Sequence, residues 1–100
     1  MANHDGETYP FTFEAVRETA PSASGVYSIF TAHRWVYVGE SDDIRQNLFR
    51  HLNEPSVAMN QFGPLSFSFE LAPAAERKAL QQALIAEREP ACSAEQMVAA

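Results

Sequence analysis

Two short apolar segments, four residues apart, constrain this chain more than anything else in it. Val26-Tyr27-Ser28-Ile29-Phe30 and Trp35-Val36-Tyr37-Val38 consist largely of β-branched and aromatic residues, with apolar groups on both alternating faces. Such a pattern suits strands covered on both sides rather than one face of a helix. Two strands so close in sequence form an antiparallel hairpin. The connection around His33 and Arg34 lacks the Asn-Gly pair of a two-residue turn, so a slightly longer loop is expected.

The rest of the chain supplies partners for that hairpin. Phe13 to Thr19 reads as a short helix with Phe13 and Val16 at helical spacing, and Pro21 to Gly25 breaks it. Gly39 ends the second strand and Ser41 is expected to cap a helix, with Asp42 and Asp43 at its positive end. Ile44, Leu48 and Leu52 recur every four residues and mark its core stripe. Residues 55–64 read as a loop. Leu65, Phe67, Phe69 and Leu71 alternate with Ser66, Ser68 and Glu70, the pattern of a half-buried strand, expected at an edge. Pro73 opens a last helix whose stripe is expected at Ala79, Leu80, Ala83 and Leu84, and Pro90 stops it.

The expected fold is therefore a small α/β (α+β) domain with a three-stranded antiparallel sheet flanked by helices, in the order α-β-β-α-β-α. Its 100 residues allow one core and no second domain. Residues 1–12 are expected to be a flexible N-terminus, 13–92 the domain and 93–100 a flexible tail.

Charge narrows the function. Seven basic residues against 13 acidic ones give a formal net charge of −6. Phosphate backbones are held mainly by Lys and Arg, so any DNA contact should be local and weak, and a protein partner is the competing expectation. The one cysteine, Cys92, can form neither an internal disulfide nor a cysteine-based zinc site. No apolar run approaches the about 18 residues of a membrane span, and the polar start has no signal-peptide character. The expected location is cytoplasmic, with no membrane partner.

Gly25-Val26-Tyr27, nine residues, then Tyr37-Val38-Gly39 resembles the paired tripeptides of the GIY-YIG nucleases. Ser41, Asp43-Ile44, His51, Leu80, Leu84-Ile85 and Pro90 extend the resemblance to about residues 24–93. It implies metal-assisted phosphodiester hydrolysis. A tyrosine of the first tripeptide helps activate water, a glutamate of the last helix holds Mg²⁺ or Mn²⁺, and an arginine meets the phosphate. A cation and a guanidinium aimed at the phosphate oxygens oppose the charge that builds there.

Carried over by position, Tyr27 is the activator, Tyr37 its phosphate-side partner and His51 the supporting group. The arginine position, however, holds Asn47, and the glutamate position holds Gln81. Ser93 stands where the family usually has asparagine. Losing one transition-state donor commonly costs about 10²–10³ in rate, and here both charged members are neutral amides. An impaired nuclease-like domain is the expectation, retained to bind a nucleic-acid structure or a protein and needing no metal. One alternative is an active metal-dependent endonuclease with displaced ligands, Arg50 with Glu40 or Asp43. Another is a pure protein-interaction module.

Overall fold

The computed structural model describes residues 7–54 and 61–92. Within them the order is β1 (Tyr9–Pro10), α1 (Phe13–Thr19), β2 (Gly25–Phe30), β3 (Trp35–Ser41), α2 (Ile44–Asn53), β4 (Ser66–Leu71) and α3 (Ala74–Arg88). Residues 1–6, most of the 55–64 loop, His4, Ser93 and the rest of the tail lie outside the described residues.

The hairpin forms the middle of the structure. β2 pairs antiparallel with β3 on one side and β4 on the other, and all six of its residues are buried. Thr31 closes the connecting loop. Its N–H donates to the Arg34 carbonyl at 2.9 Å, and its hydroxyl accepts from the backbone of His33 and Arg34. This side-chain turn supplies what an Asn-Gly pair would otherwise provide.

The sheet has four strands, in the order β1-β4-β2-β3, and not the expected three. Tyr9 and Pro10 add a short strand beside Phe67 and Ser66, so β4 is internal rather than an edge. Packing explains this addition from a polar terminus: the Tyr9 ring lies 5.5 Å from Phe67 and 6.1 Å from Phe69. Pro10, which has no N–H to donate, is suited to an outermost strand.

The opposite edge belongs to β3. Backbone N–H groups of Ala91 and Cys92 donate to the carbonyls of Trp35 and Val36 there. The chain after α3 thus covers an edge that would otherwise expose unpaired groups. Cys92 is buried, and burial raises its thiol pKa, so it behaves as a core residue.

Tyr27, Ile29, Tyr37, Ile44, Leu48 and Phe67 belong to the main core on the α1/α2 face of the sheet. Val26, Val38, Leu80 and Leu84 form a smaller cluster beneath α3. Here the expected stripe shifts. Ala79 and Ala83 are exposed, while Arg77, Leu80, Gln81, Leu84 and Arg88 are the shielded positions. The sheet face opposite explains it, because it carries Ser28, Glu40, Ser68 and Glu70. Alanines there could not supply the donors that Ser28 and Glu40 receive from α3. Arg88 instead donates to the Ser28 hydroxyl at 2.7 Å and lies 3.9 Å above the Trp35 ring. Leaving the helix, Glu89 takes a left-handed conformation (φ 48°) ahead of Pro90.

Candidate functional site

Alternation along the hairpin sends Tyr27, Tyr37, Gly39 and Ser41 to the α2 face. Tyr27 lies opposite Gly39, and a side chain on Gly39 would have no room. A Cβ there would fall 2.5 Å from Tyr27 Cζ, 2.6 Å from its hydroxyl and 2.8 Å from Tyr37 Cε2. The glycine is what lets the two rings approach, with centroids 6.1 Å apart. Gly25, with Val26 in the first tripeptide, meets a similar limit, since a Cβ there would fall 2.2 Å from the Glu70 carbonyl oxygen.

Helix α2 brings the histidine. Its N-cap is Asp43 and not the expected Ser41, with the Asp43 carboxylate accepting from Gln46 N–H at 3.0 Å. The Ile44 and Arg45 amides donate to the Ala23 and Pro21 carbonyls of the preceding loop. Ser41 ends β3 instead. Its hydroxyl accepts from Asp43 N–H at 2.9 Å and from the Asn47 side-chain amide. So anchored, α2 buries Ile44, Leu48 and His51.

The His51 ring lies 5.7 Å from both tyrosine rings, and its Nε2 is 2.8 Å from the Tyr27 hydroxyl. Burial, and then the nearby Arg50 charge, pull its pKa from 6.5 down to about 4. The ring is therefore neutral at pH 7. In the tautomer protonated at Nδ1, Nε2 accepts the Tyr27 proton. Burial also drives the Tyr27 hydroxyl well above the usual phenol range, with Tyr37 adding to the effect. The Tyr37 hydroxyl is raised by burial too, while Arg50 acts to lower it. Tyr27 is thus a neutral hydroxyl hydrogen-bonded to a neutral imidazole, and not a phenolate.

Asn47 and His51, one turn apart, could bond each other on spacing alone; they do not, because Ser41 and Tyr27 take them separately. Gln81 is not brought to the tyrosines by any hydrogen bond of its own. Its Nε2 donates to the Val38 carbonyl at 3.2 Å, on the β3 edge. A carboxylate could not make that bond.

The displaced-ligand acids are also engaged. Asp43 caps α2, and Glu40, on the α3 face of β3, pairs with Arg77, which donates in addition to the Ser24 hydroxyl. Arg77 itself is half-buried. The signal for it was the 77, 81, 84, 88 spacing of one helix face, hidden by the apolar attraction of Ala79 and Ala83. Among the described residues no group of three His, Cys, Asp or Glu could hold a metal. The groups brought together at the tyrosine pair are two phenols and an imidazole. They do not fit a Mg²⁺ site, which calls for one or two carboxylates.

No family model and no curated protein matches the chain. Solved structures do, among them three of the GIY-YIG N-terminal endonuclease domain of UvrC from Thermotoga maritima. The magnesium-bound form has a TM-score of 0.62 and 21% identity, covering 78% of this chain and 94% of that one. An asparagine-to-alanine mutant bound to its catalytic divalent cation has the same TM-score and identity, covering 78% and 93%. A tyrosine-to-phenylalanine mutant, also cation-bound, gives 0.62 and 20%, covering 78% and 94%. The chain has the GIY-YIG endonuclease fold. No helix among the described residues is long and apolar enough to cross a membrane.

Proposed function

We propose that this chain is a divergent GIY-YIG nuclease domain, impaired in cleavage, that uses its tyrosine–histidine face to bind nucleic acid. The observation that carries the reading is the buried Tyr27–His51 hydrogen bond beside Tyr37 and Gly39, where among the described residues no cluster of His, Cys, Asp or Glu could hold a cation. A hydroxyl and a neutral imidazole can contact a phosphodiester. Without the charge of a metal or its glutamate they supply little of the stabilisation that cleavage needs. The folded unit that would do this is the 13–92 region with Tyr9–Pro10 added to its sheet.

Two assays test the reading. The protein should retain branched, nicked or single-stranded DNA at low salt, and should leave supercoiled plasmid intact with Mg²⁺ or Mn²⁺. Nicking that disappears in Tyr27→Phe would overturn the impairment. The double change Asn47→Arg with Gln81→Glu, which restores both charges, should create cleavage.

A protein partner is the second reading. Leu71 and Ile85 are 62% and 39% exposed, and the formal charge of −6 disfavours extended contact with phosphates. If the protein binds none of these DNAs, this second reading replaces the first.

A further inference from the structure

The seven basic side chains are not equivalent. Arg17 lies 4.0 Å from Glu18, Arg45 donates to the Ala20 carbonyl at 2.7 Å, and Arg77 is paired with Glu40. Arg34 sits over the Phe62 ring and Arg88 over Trp35. Among the described residues, Arg50 and Lys78 alone have no side-chain hydrogen bond, ion pair or ring contact. Lys78 projects from the exposed side of α3. Arg50 stands beside His51 on α2, one turn beyond Asn47.

We propose that Arg50 is the phosphate-binding group of this site, displaced by one helical turn from the position now held by Asn47. This rests on the nucleic-acid reading above and names the residue that carries it. Three observations support it. Arg50 lines an open depression on α2 together with the amides of Gln46, Asn47 and Asn53, bounded by Phe49 and Glu54. An unneutralised guanidinium among neutral amide donors suits an anion with several acceptor oxygens. Arg50 also directly precedes His51 in the chain and shares the depression with Asn47, whose side-chain amide reaches Ser41 at the end of β3. Finally, in a chain of net charge −6, nearly every other cation has been given a partner.

A position in the last turn of α2 suits a cation through the helix dipole, but that attraction does not fix the amide lining. The displacement has a chemical consequence. The cationic half of a nuclease site is kept while its metal-holding half is spent, Glu40 on Arg77, Asp43 on the α2 cap and Gln81 on Val38. Such a site holds a phosphodiester and does not cut it.

The test is binding of a short fluorescent single-stranded oligodeoxynucleotide at low salt by the whole chain, its Arg50→Ala and Arg50→Lys variants, and Lys78→Ala. Lys78→Ala removes the same charge elsewhere. Losing one charged phosphate contact should weaken binding about tenfold in Arg50→Ala and flatten its salt dependence by about one ion. Arg50→Lys should fall between, and Lys78→Ala should match the parent. Equal weakening by Arg50→Ala and Lys78→Ala would reduce the effect to net charge and overturn the assignment. Undiminished binding by Arg50→Ala overturns it too, leaving the nucleic-acid reading intact. If the parent binds no oligonucleotide, that reading fails, and titration with inorganic phosphate decides the subsite alone. A shift of the Arg50 Nε–Hε resonance supports it, and a static resonance overturns it.

Discussion

Acid should unfold this domain through His51 before it reaches most of the carboxylates. The ring is 6% exposed and is held neutral, with a folded-state pKa of about 4 against an ordinary 6.5. In the unfolded chain it takes up a proton near the ordinary value, so the unfolded state binds the proton first. The stability tied to the neutral ring is therefore complete above pH 6.5 and is lost as pH falls toward 4. With those two values the loss between pH 7 and pH 5 is about 2 kcal/mol, and the full span is worth about 3 kcal/mol. Urea unfolding at pH 7, 6 and 5 measures it. The comparison is His51→Gln, which keeps an acceptor for the Tyr27 hydroxyl but cannot titrate. The parent should lose about 2 kcal/mol more than this variant over the interval, with the carboxylate contributions common to both cancelling. Parallel losses would mean that His51 is not buried as a neutral ring, and the geometry argued for the site would fall with it.

Two further changes test the site's supports. Gly39→Ala should cost more than about 2 kcal/mol, because its Cβ must displace the Tyr27 and Tyr37 rings; thermal melting and the near-ultraviolet tyrosine signal would report it. Gln81→Glu alone should cost about 1–2 kcal/mol at neutral pH, since it replaces a donor to the Val38 carbonyl with a carboxylate. Denaturant midpoints measure that loss, and an unchanged midpoint would remove Gln81 from the β3 edge.

Much of the fold was legible in the chain because it depends on neighbours in sequence. Apolar residues on both faces of two closely spaced segments made β2 and β3 a hairpin, and a four-residue spacing placed Ile44 and Leu48 in the core. Tyr37 and Gly39 could be set on one face by strand period alone, while Tyr27 joins them through the β2–β3 register. Partners distant in sequence were not legible. That Ser41 would receive Asn47 rather than cap α2, and that His51 would reach Tyr27 rather than Asn47, depended on how closely α2 lies on the sheet. The shielded face of α3 followed from the polar groups opposite it and not from its own alanines. The fourth strand came from Tyr9 finding Phe67 and Phe69. The chain by itself determined which residues could build a GIY-YIG-like site, through the resemblance of its paired tripeptides and the residues spaced around them. Tertiary structure decided how each polar group was spent, because a buried hydrogen bond or ion pair needs both partners within reach, and only the folded chain sets that reach.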